Sequence, residues 1–384
     1  MLTNKEAWIV LNLLTNGTAA ARIRFLVDFF GSPSKVLEQD ASELVSLKKV
    51  DRNFVQKICR WNEFVDLDKE LSIAEKGGVT ILTPEEDDYP APLKDFQESP
   101  VVLYVRGKIP ARISNASLAI VGTRNVSNYG ARMTRHISES AVYANWITVS
   151  GLAVGVDTIV HDSTVRAGGK TIGVLGGGFL KFHPKENLEL ARNIIETGGA
   201  VISEFPMEMV PTRYTFPIRN RIVSGLTCGT LVVEAGINSG SLITAGNALE
   251  QGKRVFALPG EADQPNFEGC HRLIRQGATL ITNFREILEE FDFLPGFCSN
   301  QNQFQTDSLK GNETAVLEQQ DENDNILSQN DVAILDALRR GPCSLDEISM
   351  KTSLPATNLI SSLTALEIMH RIRKNLDGTY TKLR

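Results

Sequence analysis

The chain has 384 residues, 42% hydrophobic and 22% charged, enough for more than one packed domain. No apolar run is long enough to span a bilayer and no charged-then-apolar N-terminal signal is visible, so a soluble, cytoplasmic protein without a membrane partner is expected. The formal charge of −6 argues against a uniformly basic nucleic-acid binder, but residues 297–328 hold six acids against Lys310 alone, which leaves the remainder close to neutral and compatible with a local basic groove.

Residues 1–75 carry apolar residues at spacings of three and four, as in Ile23, Leu26, Val27 and Phe30, and Gly31 is placed to stop that helix. A small helical domain is predicted there. Residues 80–295 alternate strand-like and helix-like signals. Apolar runs lie at 101–105, 118–122, 146–151, 171–176, 200–204, 230–235, 254–259 and 279–282, with helical spacing between them, for example at 129–144 and 242–251. Near-continuous apolar strands separated by helices predict an α/β fold with a parallel-rich sheet covered on both faces. Ligands of such sheets bind at the carboxyl ends of the strands, where Gly and Ser cluster here.

Residues 296–328 are polar, acidic and poor in periodic apolar positions, the composition of a flexible linker. Residues 329–384 read as three helices and a hairpin. Asp331–Arg340 stops at Gly341-Pro342, Ser344 and Glu347 match a capping box, a third helix runs from about 356 to 370, and Asp377-Gly378 signals a turn. That order is the order of a winged helix. The third helix exposes Thr357, Asn358, Ser361 and Ser362, a face compatible with either DNA or a protein partner.

Several motifs exclude chemistry. The five cysteines are scattered and form no Cys-x-x-Cys, so neither a disulfide framework nor a zinc ribbon is indicated. "GGKT" at 168–171 lacks the upstream glycine of a P-loop and precedes a strand rather than following one. There is no Gly-x-Gly-x-x-Gly, no His-Glu-x-x-His and no Gly-x-Ser-x-Gly. No catalytic set, cofactor or metal is therefore expected.

Other motifs suit phosphates. In "IVGTRNVSNYG" a strand ends at Gly122, and the loop amides, the helix start near Tyr129 and Arg124 suit an oxyanion. "VSGLAVGVDTIVH" brings Ser150, Gly151 and Gly155 to a second strand end. Its Asp157 and His161 are neighbours on one helical face, read as fixing the loop rather than as an acid–base pair. Gly176-Gly177-Gly178 ends the next strand and is placed for a second backbone contact. "RYTFPIRNRIVSGL" surrounds Tyr214 and Phe216 with Arg213, Arg219 and Arg221. Spacing alone leaves two readings: cations for phosphates with an aromatic ring for a base, or core aromatics with solvent-facing arginines. The polar loop through Gly240 and Ser241 precedes an apolar helix and again suits an anion.

Taken in order, "VGTRNVSNYG", "SGLAVGVDTIVH", "FPIRNRIVSGL", "SGSLITAGNALEQGKRVFALPG" and "GCHRLIRQGA" resemble the DNA-processing protein A family, also called Smf, over roughly residues 80–290. The resemblance implies an extended Rossmann-like domain that binds single-stranded DNA and loads the RecA recombinase onto it in natural transformation. It also implies a homodimer, an N-terminal helical domain and a C-terminal winged helix. Carried over by position, the DNA site comprises Gly122, Thr123, Arg124, Ser150, Gly151, Arg213, Phe216, Asn220, Arg221, Gly240 and Ser241. Around Gly17 the Gly-x-Gly hairpin of DNA-binding helix-hairpin-helix units is missing. Two other readings compete. A nucleoside-monophosphate phosphoribohydrolase would pair Arg219 or Arg221 with Glu234, but its Pro-Gly-Gly-x-Gly-Thr-x-x-Glu motif is absent. A nucleotide-sensing transcription regulator would prefer duplex DNA.

Overall fold

The structure is a computed structural model. It describes residues 2–47, 50–94 and 96–291, and in the C-terminal part 329–338, 341, 343–352, 359, 363, 366, 372–374 and 379–382. The chain divides into two compact units, Met1–Cys298 and Ser299–Arg384.

The first unit opens with short helices: α1 (Asn4–Leu14), α2 (Ala20–Phe30), α3 (Pro33–Leu37), α4 (Ala41–Ser46), α5 (Arg52–Cys59), α6 (Trp61–Phe64) and α7 (Leu67–Lys76). Local chemistry sets their ends. Thr3 and Glu6 form a reciprocal capping box on α1, and Gly31 stops α2 in the left-handed conformation at φ 87°. Their apolar faces form a core that continues into Val101, Val102, Tyr104 and Met207 of the sheet domain. Polar ties reinforce the contact. The Asn12 amide donates to the Glu204 carbonyl at 3.1 Å, and the buried Glu70 carboxylate accepts from the Met207 amide at 2.8 Å. The helices at 1–75 are thus seated on the sheet domain.

There follow β1 (Thr80–Leu82), β2 (Leu103–Gly107), β3 (Ser117–Val121), α8 (Asn128–Tyr143), β4 (Ile147–Ser150), α9 (Val156–Arg166), β5 (Thr171–Val174), α10 (Leu188–Glu196) and β6 (Ala200–Ser203). The second half holds α11 (Thr215–Gly225), β7 (Gly229–Val232), α12 (Ser241–Glu250), β8 (Arg254–Ala257), α13 (Glu268–Arg275), β9 (Thr279–Leu280) and α14 (Phe284–Glu289). The nine strands form one sheet in the order β1-β2-β6-β5-β4-β3-β7-β8-β9. Strands β3 to β9 run parallel to one another, while β1 and β2 are antiparallel additions at one edge, β2 pairing with β6. Every residue of β3 to β7 is buried, as a sheet covered on both faces requires. The 101–105 run, expected to join a parallel set, instead pairs antiparallel with β6, because an apolar run carries no information about direction.

From β3 the chain winds through β4, β5 and β6 to one side, then returns to β7 on the other. The strand order reverses between β3 and β7, and the loops there diverge to open a crevice.

In the second unit, α15 (Gln329–Ala337) and α16 (Leu345–Thr352) precede an antiparallel pair, β10 (Ile372–Lys374) and β11 (Tyr380–Lys382). Ser344 and Glu347 form the expected reciprocal cap on α16. Leu359, Leu363 and Leu366 are helical and buried with Ile334, Leu338, Ile348 and Ile372. The linker, Thr357, Asn358, Ser361, Ser362 and the Asp377-Gly378 turn lie outside the described residues.

Candidate functional site

A cleft of about 800 Å³ opens at the reversal point. Gly122, Thr123 and Arg124 enter it from the end of β3, Gly151 and Ala153 from the end of β4, and Gly236 to Ser241 from the loop between β7 and α12. One face of α11 forms its wall. Phe216, Arg219, Asn220 and Val223 stand at i, i+3, i+4 and i+7, so they share a stripe, and all four line the cleft.

That helical register separates two arginines. Arg219 faces the cleft. Arg221, two residues on, points to the opposite side and is 7% exposed. Its Nη1 and Nη2 donate to the two carboxylate oxygens of Glu204 at 2.6 and 2.5 Å, a two-pronged buried pair. Arg221 was expected to extend the positive track; its fork is occupied by Glu204 and it does not line the cleft. Ser150 also differs from expectation. It is fully buried and its Oγ donates to the Ile120 carbonyl at 2.7 Å, tying β4 to β3 below the floor.

The backbone amides are committed inward too. Thr123 donates to the Glu234 carbonyl at 2.8 Å, and the Asn125 amide donates to Thr123 Oγ1 at 3.2 Å. The start of α8 does hold an anion, but it is the buried carboxylate of Glu234. That group accepts from the Ser127 amide at 3.0 Å, from Ser127 Oγ at 2.7 Å and from Asn266 at 3.1 Å. Asp157 accepts from the amides of Gly151 at 3.1 Å and Ala153 at 3.3 Å, fixing the loop after β4 as its position suggested. His161 does not pair with it; its Nδ1 meets Thr171 Oγ1 at 2.8 Å. Gly155, at φ 89°, packs against the Thr123 and Arg124 carbonyls, and Gly176 lies under the Phe216 ring, so these glycines admit the protein's own chain.

What remains to meet a ligand is therefore mainly side chains. Arg124 and Arg213 are exposed on the rim and Arg219 is buried on the floor; none of the three has an ion-pair partner among the described residues. The Arg124 guanidinium lies 5.5 Å over the Phe216 ring, and that of Arg213 lies 4.8 Å over Tyr214. Asn220 donates to the Gly240 carbonyl at 3.3 Å, bracing the loop that carries Gly240 and Ser241. Two carboxylates, Asp157 and Glu268, also border the cleft. Arg219, a candidate cation in the sequence but not among the positions carried over for DNA, lines the cleft; its spacing of three from Phe216 in a helical segment places both on one face.

The residues of a phosphoribohydrolase are not assembled: Arg221 is held by Glu204, and Glu234 sits beneath α8 rather than in the cleft. Among the described residues no group of His, Cys, Asp and Glu is placed to hold a metal, and no helix is long and apolar enough to cross a membrane.

A mostly parallel, doubly covered sheet with an arginine-lined cleft at its reversal point defines an extended Rossmann-like protein. The chain belongs to the DNA recombination-mediator protein A family, whose model matches residues 80–292, more than half of its length. A second model, the DprA winged helix domain, matches residues 318–377. The chain is 42% identical to Protein Smf of Escherichia coli (strain K12) over 227 residues, covering 59% of this chain and 60% of that one, less than two thirds of the relative's length. It is 38% identical to the DNA processing protein DprA of Bacillus subtilis (strain 168) over 248 residues, 64% of this chain and 83% of the relative. The X-ray structure of DNA processing protein A from Streptococcus pneumoniae superposes with a TM-score of 0.62 at 31% identity, covering 76% of this chain and 99% of that one.

Proposed function

We propose that this chain binds single-stranded DNA in the cleft, breaks no bond there, and acts in the cytoplasm as a homodimeric recombination mediator that places RecA on incoming DNA during natural transformation. The observation that carries the reading is the pairing of the rim arginines Arg124 and Arg213, which have no ion-pair partner among the described residues, with a partly exposed aromatic ring in one crevice, where Asp157 is engaged by the Gly151 and Ala153 amides and Glu268 is the other bordering carboxylate. Cations take phosphates of any sequence and a ring face stacks a base of any identity, which is the chemistry of sequence-tolerant single-strand recognition. Membership in the recombination-mediator family and relatives called DNA processing proteins support the same reading.

The test is a titration of labelled oligo(dT) at several salt concentrations. Arg124→Ala and Phe216→Ala are both expected to weaken binding, the latter by about 1–3 kcal/mol, the range for loss of one stacked base. Only Arg124→Ala should flatten log K against log salt, by about 0.7 for one phosphate contact to a single strand. Equal slopes for wild type and Arg124→Ala would remove that residue from the phosphate path.

A further inference from the structure

Pro217 of α11 lines the cleft and also lines a smaller hollow of about 350 Å³. Ala21 of α2 lines that hollow and also a groove of about 530 Å³. Three hollows thus share walls in sequence, from the carboxyl ends of the strands to the seam between the helical domain and residues 94–97 of the sheet domain. The groove at the seam combines cations with aromatic rings. Arg24 and Lys94 line it, and neither has an ion-pair partner among the described residues. Arg24 donates from Nε and Nη2 to the Ser99 and Pro100 carbonyls at 2.9 and 3.2 Å, which fixes the guanidinium and leaves its charge unneutralised. Lys94 is exposed and lies 6.0 Å over the Tyr89 ring. Arg22 adds less, because Asp51 pairs with it at 2.7 Å, and Asp28 is the carboxylate in the lining. Phe25 and Phe96 are both half-buried in the wall. Phe96 packs on Gly225 at the end of α11, where a Cβ would fall 2.7 Å from the ring, so groove and cleft are built on the same helix. The hollow between them holds Glu98 and Arg221, whose charge Glu204 already takes, so it is a bridge rather than a phosphate site.

We propose that the α2 groove is a second subsite for the same unpaired strand. A strand leaving the cleft over Pro217 passes Ala21 and enters the groove, where Arg24 and Lys94 take phosphates and Phe25 offers a ring face to a base. The inference rests on the single-strand reading above and extends it onto the helical domain. It uses side chains on one face of α2, not the hairpin amides whose Gly-x-Gly is missing around Gly17. The core shared by the helices and the sheet domain sets the spacing of the two sites. Contact at the second site is then intramolecular, and it adds affinity only for strands long enough to reach both.

The experiment titrates the full chain with oligo(dT) probes of increasing length at several salt concentrations. Wild type is expected to gain affinity in two steps, the first as the cleft fills and the second as the strand reaches the groove. Log K against log salt should be steeper for long probes than for short ones by about 1.4, for two further phosphates. Lys94→Ala should reduce that difference by about 0.7, and Lys94→Glu should remove most of the second step. Phe25→Leu, which keeps an apolar side chain in the wall and loses the flat face, should weaken long probes by about fivefold or more, the lower end for one stacked base. None of the three should change affinity for the short probes. A single step in wild type, with short-probe binding intact, would give the groove to another occupant and overturn the assignment. So would a second step that persists in both Lys94→Glu and Phe25→Leu, or an equal loss for short and long probes. Failure of wild type to bind any probe would instead defeat the single-strand reading itself.

Discussion

Replacing Glu204 by alanine is expected to destabilise the sheet domain by about 3–5 kcal/mol, the cost of leaving one member of a buried ion pair uncompensated. Glu204 follows β6, is 1% exposed and takes both prongs of Arg221. Burial pushes its carboxyl pKa up, and the Arg221 guanidinium opposes that push. The residue joins three layers, because its carbonyl accepts from Asn12 of α1 while its carboxylate anchors α11. Loss of the anchor should also loosen the opposite stripe of α11, so oligonucleotide affinity falls with stability. Urea unfolding followed by circular dichroism measures the first effect. A combined Glu204→Met and Arg221→Met variant should lose less than either single change, since no charge is then stranded. A loss below about 1 kcal/mol for Glu204→Ala, in the range of exposed pairs, would show the pair to be solvated in solution.

The second large effect concerns pH. His161 is fully buried on α9, with Nε2 unpartnered. Burial, aided by the positive Arg219, drives its pKa from 6.5 down to about 3. The unfolded chain therefore takes up a proton near pH 6.5 that the folded chain refuses until about pH 3. Stability contributed by the neutral ring is present above 6.5 and is lost as pH falls through that window. From neutral pH to pH 5 the loss from this residue alone is about 2 kcal/mol. Asp157 and Glu204, whose pKa values burial raises, act with the opposite sign, because the folded state protonates them first. The contribution is isolated by comparing wild type with His161→Gln. The variant should gain about 2 kcal/mol relative to wild type between pH 7 and pH 5, and parallel stability curves would contradict a buried neutral imidazole.

Each strand from β2 to β9 overlaps an apolar run visible in the sequence, β2, β3 and β7 shifted by one or two residues, and α8 and α12 follow their helical spacing closely. The exceptions have physical causes. β1 is three residues long, too short for a pattern, and is specified by pairing with β2 across twenty intervening residues. Candidate cations were also visible, but not their directions. Arg219 and Arg221 look alike in the sequence and diverge only when the register of α11 is set against Glu204 on one side and Gly151 on the other. The glycine-rich strand ends were read as room for a ligand, and at Gly155 and Gly176 the room is taken by the protein's own loops and by Phe216. Such partners lie tens of residues away, where local periodicity carries no signal.

The central claim is that an unpaired strand lies in the cleft between the ends of β3 and β7. It is tested most directly by photo-crosslinking a 5-bromouracil-substituted single strand to the full chain and mapping the linked peptides. The account predicts crosslinks in the segments around Phe216 and residues 236–241, competed by unlabelled single strands more effectively than by duplex. Crosslinks confined to residues 1–75 or 329–384, with the cleft segments unlabelled, would contradict it.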